Sequence, residues 1–144
     1  GGSGVFIYLC RSITDQEGDT HALTGLYPFT AQVHPTLCSL GYRHARVLTD
    51  CLLAPQGGEL YGHEFHYSSI TIGDTPAATA FRLTDNRSEG YLTRNAHTLA
   101  GFLHLHWGRT PEAAHRFVRI CRQCSISTDT AFLARTSAPI PQPF

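Results

Sequence analysis

Lysine, methionine and an excess of either charge are all missing from this 144-residue chain, in which eleven arginines balance eleven Asp and Glu residues. A chain without net charge has no basic surface to hold a nucleic-acid backbone, so we expect no nucleic-acid partner. No apolar run approaches the ~20 residues that cross a bilayer, and no charged segment precedes an apolar one at the start. These absences favour a cytoplasmic protein with neither a membrane span nor a secretory signal. The missing Met indicates a processed, trimmed or engineered first residue.

A disulfide framework and a metal site are not expected either. Five cysteines are an odd number and too sparse for a small disulfide scaffold, which indicates a reducing compartment. Cys121 and Cys124 form a lone C-x-x-C without the second ligand pair of a structural zinc site. They are interpreted as two helix cysteines one turn apart, one of them facing the core. The other candidate ligands match no zinc signature, and they are His63, Glu64, His66, His104 and His106.

What the chain does contain is enough apolar residues, 42% of the total, for one hydrophobic core. The composition changes after Cys124 to Ser, Thr and Ala, and Pro becomes frequent towards the end. We therefore predict a folded domain at 1–124 and a poorly ordered tail at 125–144.

Short alternating stretches with few helical patterns between them predict a largely β middle region. Strands are predicted at 29–33, 42–48, 59–72, 81–83, 90–93 and 98–107, the last largely buried. Thr110, Pro111 and Glu112 predict the start of a helix, with a cap, a first-turn proline and a first-turn acid. The pattern indicates an α/β domain with an antiparallel strand excursion in the middle.

Ser3 is the first candidate for chemistry, because it lies between Gly2 and Gly4. Small residues on both sides are required where a tight strand-to-helix turn exposes a nucleophilic hydroxyl. The alternative is that Gly-Gly-Ser-Gly is the remnant of an expression linker. Nucleophilic catalysis also needs a histidine brought close by the fold from far along the chain, and His104 fits that order.

The segment Gly62-His63-Glu64-Phe65-His66-Tyr67-Ser68 is the second candidate. Strand alternation places Glu64 and His66 on the same side, where they could share one polar site, as an ion pair or as a carboxylate that orients an imidazole. The alternative is a polar, solvent-facing side of an edge strand.

Four segments together resemble a known family. They are Ser3-Gly4-Val5-Phe6-Ile7-Tyr8-Leu9-Cys10, Gly41-Tyr42-Arg43, the segment at 62–68, and Phe102-Leu103-His104-Leu105-His106-Trp107. In order and spacing they resemble the C-terminal, class I glutamine amidotransferase-like domain of cobyrinate a,c-diamide synthases. The resemblance extends from about Ser3 to about Cys121. It implies a flavodoxin-like sheet that is incomplete at its N-terminal side.

The resemblance assigns roles to individual residues. Ser3, followed by Gly4, stands where the family has the cysteine that attacks the side-chain amide of glutamine, and His104 matches the catalytic histidine. His106 stands where class I amidotransferases commonly have a carboxylate that orients this histidine. A neutral imidazole stabilises an imidazolium less than a carboxylate does. Glu64 is a candidate substitute if its strand lies beside that of His104, and His66 is a further orienting or substrate-binding candidate.

The resemblance also implies partners. They are glutamine and a tetrapyrrole (corrinoid) carboxylate. ATP and Mg belong to a P-loop synthetase half that this chain lacks, so the chain itself is expected to hold no cofactor. Without the opening strands of the domain, we expect the chain to be marginally stable, oligomeric or complemented by another chain.

Activity is expected to be weak or absent, because serine is a poorer nucleophile than a thiolate. Two alternatives stay open. One is a non-catalytic binding or assembly module of the same fold. The other is a serine hydrolase that uses Ser3 and His104.

Overall fold

The computed structural model describes residues 3–73, 77–93 and 98–136, with side chains up to Cys124 in the last helix. Mixed helices and strands form two sheets. In chain order the elements are α1 (Ser3–Tyr8), β1 (Cys10–Thr14), β2 (Thr20–Ala22), β3 (Tyr27–Val33), β4 (Ser39–Val47), β5 (Glu59–His66), β6 (Ser68–Thr71), β7 (Thr79–Leu83), β8 (Ser88–Leu92), β9 (Leu99–Ala100), β10 (His104–Leu105) and α2 (Pro111–Thr136).

The first sheet has the strand order β2-β1-β3-β6, and β1 and β3 run parallel. Along β3 the side chains alternate, so that Tyr27, Phe29 and Ala31 are buried while their neighbours are not. These residues pack against Phe6 of α1 and form one of two hydrophobic core clusters. The sheet therefore anchors the short first helix.

The second sheet is antiparallel throughout its described pairs, with the order β10-β5-β4-β7-β8-β9. Its centre is the long pair of β4 and β5, in which Ala45 lies opposite Leu60. Both are buried in the second core cluster together with Leu83 of β7. Asn86 makes the turn between β7 and β8 at a φ of 67°, a conformation that Asn tolerates better than most residues.

Two strand predictions were wrong in their extent. The predicted strand at 59–72 divides at Tyr67, because β5 belongs to the second sheet and β6 to the first. The predicted strand at 98–107 is interrupted at 101–103, which leaves two strands of two residues each, β9 and β10. The α/β class is confirmed, but strands dominate and the described strand pairs are antiparallel except for β1 with β3.

The last helix begins at Pro111, with Glu112 in its first turn, as predicted. It runs to Thr136, past the predicted end of the domain at residue 124, while 137–144 lie outside the described residues. Cys121 and Cys124 are both exposed, so the expectation that one faces the core was wrong. None of the helices in the described ranges is long and apolar enough to cross a membrane.

Candidate active site

Ser3 is the first residue of α1, and its Oγ is buried without a hydrogen-bond partner in the described part of the chain. Residues three apart share one face of a helix, so Ser3 and Phe6 both lie on the side of α1 that faces the core. Gly4 has open space where a Cβ would stand, since nothing among the described residues lies within 4 Å. The crowding predicted from the sequence involves the flanking backbone at 1–2, which lies outside the described residues, so it stays a prediction.

Phe6 connects α1 to the segment that leads to His104. Its ring lies edge to face with Phe102 at 5.2 Å between centroids and stacks on Tyr91 at 5.4 Å. Phe6 is only 2% exposed. This packing links the elements that carry the two predicted catalytic residues, since Ser3 is one helical turn before Phe6 and His104 follows Phe102 by two residues. No hydrogen bond joins Ser3 Oγ to His104 Nδ1 among the described contacts.

His104 lies on the edge strand β10, which pairs with β5 so that His104 stands opposite His63. The two imidazole rings stack with centroids 5.0 Å apart. His104 Nδ1 is buried and has no hydrogen-bond partner among the described residues. Within the described ranges no three His, Cys, Asp or Glu side chains are arranged to hold a metal ion.

Glu64 is fully buried on β5, on the face that it shares with His66, as the alternation predicts. Its carboxylate accepts hydrogen bonds from Ser39 Oγ at 2.8 Å, Arg43 Nε at 2.7 Å and Arg87 Nη2 at 2.7 Å. Burial raises the pKa of the Glu64 carboxyl, but these donors outweigh it and lower the pKa to about 2.

The carboxylate of Glu64 is thus bound by two arginines and a serine and has no hydrogen bond to His104. β5 does lie beside β10, as the substitute role required. However, His104 stands opposite His63, whose side chain alternates to the other face of β5. The idea that Glu64 orients His104 directly was wrong, since the two side chains point to opposite faces of the sheet.

His66 is held in one tautomer. Its Nδ1 lies 2.7 Å from the carbonyl oxygen of Ser68, and since a carbonyl only accepts, Nδ1 carries the proton. Nε2 is buried and unpartnered among the described residues, and burial lowers the pKa of the ring. The ring stacks on Phe102 with 3.9 Å between centroids. His66 therefore presents a bare, neutral nitrogen next to the segment of His104.

His106 is exposed, and its Nδ1 accepts a hydrogen bond from the backbone N–H of Arg109 at 3.1 Å. It has no hydrogen bond to His104 among the described contacts. It borders a cavity of about 510 Å³ whose wall also includes Arg43, Tyr61 and Arg109. The Arg109 guanidinium lies 4.2 Å from the centre of the Tyr61 ring. The expected orienting contact from position 106 is not made.

Glu89 is a buried residue that the sequence analysis missed. It lies on β8, is 4% exposed, and accepts hydrogen bonds from the backbone N–H groups of Phe102 and Leu103. Burial raises the pKa of the Glu89 carboxyl to about 7, although these donors oppose the rise. An acid next to the predicted strand at 90–93, directly before Gly90, was the signal that could have found it.

The sequence of the chain matches a known protein family over most of its length. A family model described as the CobB/CobQ-like glutamine amidotransferase domain matches residues 3–112. The matched range begins at Ser3 and includes Glu64, His66 and His104. It also includes both sheets.

Several curated proteins are similar over most of this chain. A cobyrinate a,c-diamide synthase from Dehalococcoides mccartyi is 34% identical over 83% of the chain and 27% of its own length. A hydrogenobyrinate a,c-diamide synthase from Streptomyces coelicolor is 37% identical over 81% of the chain and 22% of its length. A cobyrinate a,c-diamide synthase from Salmonella typhimurium is 32% identical over 83% of the chain and 27% of its own length. The chain spans about a quarter of the length of these relatives.

Proposed function

The chain belongs to the CobB/CobQ-like glutamine amidotransferase domain family, and from this premise we propose that it is the glutamine-hydrolysing portion of a cytoplasmic, ATP-dependent cobyrinate a,c-diamide synthase. The relatives described above carry that name or that of hydrogenobyrinate a,c-diamide synthase. Its part in the reaction is to release ammonia from glutamine, and the acceptor is a corrinoid carboxylate.

The observation that carries the proposal is that Ser3 Oγ and His104 Nδ1 are two of the five buried side-chain atoms without a hydrogen-bond partner among the described residues. Leaving a buried polar group without a partner costs about 1–3 kcal/mol, so such groups in a native site favour a role towards a substrate. Phe6 and Phe102 join the two elements that carry them. The two atoms do not hydrogen-bond to each other among the described contacts, and the proposal requires that they come within hydrogen-bond reach when glutamine is bound.

The chemistry that follows is acyl transfer. Ser3 Oγ attacks the side-chain carbonyl carbon of glutamine while His104 takes the hydroxyl proton. His104 then gives the proton to the leaving nitrogen, so that ammonia departs and a glutamyl ester remains on Ser3. Water, deprotonated by His104, hydrolyses the ester to glutamate and restores both side chains.

His66, Glu64 and His106 serve binding rather than proton transfer in this proposal. The bare Nε2 of His66 accepts a hydrogen bond from an amino group of the substrate. Glu64 holds Arg43 in place at the cavity that His106 borders, so that guanidinium and imidazole donors face an anionic group. Gly4 contributes only the backbone that follows Ser3.

In this proposal ATP and Mg act in a synthetase half that activates the corrinoid carboxylate. The parallel pair β1 and β3 corresponds in this proposal to part of the flavodoxin-like sheet of class I amidotransferases. Strands from elsewhere would extend that sheet at one of its edges, β2 or β6. Light scattering of the purified chain tests this, since a well-folded monomer at micromolar concentration would contradict it.

A glutaminase assay tests the proposal. Ammonia release from glutamine is measured for the parent chain, Ser3→Cys, Ser3→Ala and the double variant Ser3→Cys/His104→Gln. We expect weak release by the parent, at least tenfold faster release by Ser3→Cys because a thiolate is the better nucleophile, and none by the other two. No ammonia from either the parent or Ser3→Cys would overturn the catalytic proposal for this chain.

The second candidate is a non-catalytic module of the same fold. The serine at position 3 and the exposed imidazole at position 106 favour it, since both stand where the resemblance expects stronger catalytic groups. In that case His104→Ala changes stability or partner binding while no variant turns over glutamine. A fluorophosphonate probe distinguishes a serine hydrolase from these two candidate functions, because it would label Ser3 in the parent and give no labelling in Ser3→Ala.

A further inference from the structure

Glu89 joins two parts of the second sheet that are distant in strand order. β9 and β10 follow each other in the chain, yet they lie at opposite edges of that sheet. Three residues reach only about 10 Å, less than the roughly 24 Å across a flat sheet of six strands, so the sheet curls and the segment 101–103 crosses where its two edges meet. Its backbone N–H groups at Phe102 and Leu103 point at Glu89 Oε1, at 2.5 and 3.1 Å.

The backbone of the crossing segment has few other hydrogen-bonded anchors. β10 pairs with β5 at only two positions, His104 with His63 and Leu105 with Gly62. Buried N–H groups need an acceptor, and a carboxylate provides a stronger one than a carbonyl does. Glu89 thus supplies bonds that the short strands on either side cannot supply.

A glycine allows this approach. A Cβ at Gly101 would lie 2.0 Å from Glu89 Oε1, so any side chain there would displace the carboxylate. The same Cβ would lie 3.3 Å from the backbone nitrogen of Gly90, the residue after Glu89. The segment thus lies against β8 at Glu89 and Gly90.

The anchored segment leads directly to the proposed base. The Phe102 ring lies between His66, on which it stacks, and Phe6 of α1. His104 follows two residues later. Glu89 and His104 also border the same cavity of about 570 Å³.

We propose that Glu89 is a positioning residue for His104: its carboxylate fixes the backbone of Phe102 and Leu103 and thereby the orientation of the imidazole. This rests on the proposed function and deepens it. Neither Glu64 nor His106 contacts His104 by a hydrogen bond, and Glu89 orients it through the backbone instead.

Ring resonances of His104 provide a test that does not depend on activity. ¹H–¹⁵N spectra of the histidine rings are recorded at pH 8 for the parent, Glu89→Ala and Glu89→Gln, and the His104 signals are assigned by their loss in His104→Gln. We expect both Glu89 variants to shift the His104 signals, with the larger shift in Glu89→Ala, while those of His21 stay in place. Glu17→Gln, an exposed acid in a loop, is the matched charge control.

A second control separates positioning from general destabilisation. Ile13→Ala removes a partly buried side chain from β1 of the first sheet, which pairs with neither β9 nor β10, so it lowers the unfolding temperature but leaves the His104 signals unchanged. Unchanged His104 signals in folded Glu89→Ala, or in Glu89→Gln if Glu89→Ala does not fold, would overturn the proposal. So would an equal shift caused by Ile13→Ala.

Glutamine hydrolysis adds an independent readout in the Ser3→Cys background. Glu89→Ala is expected to lower kcat at least tenfold while KM for glutamine changes less than twofold, because the base and not the substrate site is displaced. A rise in KM with kcat unchanged would contradict a positioning role. If Ser3→Cys itself releases no ammonia, the proposed function fails while the ring resonances still decide the role of Glu89.

Discussion

The buried carboxylate of Glu64 makes the stability of the protein depend on pH in the acid range. Its pKa is lowered from 4.5 to about 2 by donors that bind the ionised form. An acid whose pKa is depressed by folding stabilises the native state above its unfolded pKa, and this stabilisation is lost as the pH falls towards the folded pKa. The unfolding free energy should therefore decrease below about pH 5.5.

The size of the effect follows from the shift. The full difference between a pKa of 4.5 and one of about 2 corresponds to about 3 kcal/mol. At pH 3.5 most unfolded chains carry the proton and most folded ones do not, so about 1.4 kcal/mol is already lost. The side chain of Glu64 is 0% exposed, so solvent screening does not reduce this figure much.

Urea unfolding between pH 3.5 and 6 measures this loss of unfolding free energy, with the parent compared to Glu64→Gln. Asp15 and Asp85 also have lowered pKa values, so the difference between the two proteins, not the curve of the parent, isolates Glu64. We expect the parent to be more stable at pH 6 and this gap to narrow by about 1.4 kcal/mol at pH 3.5. Glu59 is an exposed acid on the same strand, so the unfolding free energy of Glu59→Gln should change with pH in parallel with that of the parent.

A gap between parent and Glu64→Gln that stays constant across this pH range would refute the reasoning. It would mean that the carboxylate is not held by Arg43 and Arg87 in the folded protein, or that the unfolded chain keeps the same ion pairs. Measuring the difference in unfolding free energy between the parent and Glu64→Gln again in 1 M salt distinguishes these explanations. Salt screens a buried ion pair little and a solvated ion pair strongly.

Two further predictions concern packing around the candidate site. Phe6→Ala should lower the unfolding free energy by about 3–5 kcal/mol, because it empties a site among four aromatic rings. Chemical denaturation measures this loss, with Val5→Ala at an exposed position as the control. An equal loss of unfolding free energy in both variants would contradict the prediction. Gly62→Ala should cost about 1–3 kcal/mol and shift the His104 ring resonances, because its Cβ would lie 2.2 Å from the His104 carbonyl oxygen. Gly73→Ala, with nothing within 4 Å of its Cβ, is the control, and a similar result for both glycines would argue against the close approach of β5 and β10.

Local rules predicted the elements that local interactions determine. Pro111 starts α2 because its φ suits a first helical turn and its missing N–H has no partner to lose. Alternation on β5 predicted that Glu64 and His66 share a face, since side chains in a strand alternate regardless of what surrounds them. The alternative that this polar side faces solvent was wrong, because whether a strand face is buried depends on what packs against the sheet.

The family, too, was predicted from the sequence: the order and spacing of the segments around Ser3, Glu64 and His104 pointed to the relatives that the comparisons found. The strand divided at 101–103 could not be predicted this way. Its alternation is regular, but Glu89, more than ten residues earlier, takes the N–H groups that a continuous strand would give to a neighbour.

What the sequence determined by itself was therefore the periodicity of each strand, the start of α2, the membership of the family and the residue types at the candidate site. Only the tertiary structure decided which groups these side chains meet: Glu64 binds two arginines and not His104, and Glu89 holds the segment before His104. The physical reason is that backbone geometry follows from neighbours in the chain, whereas burial and the partner of a charge depend on which strands are brought side by side.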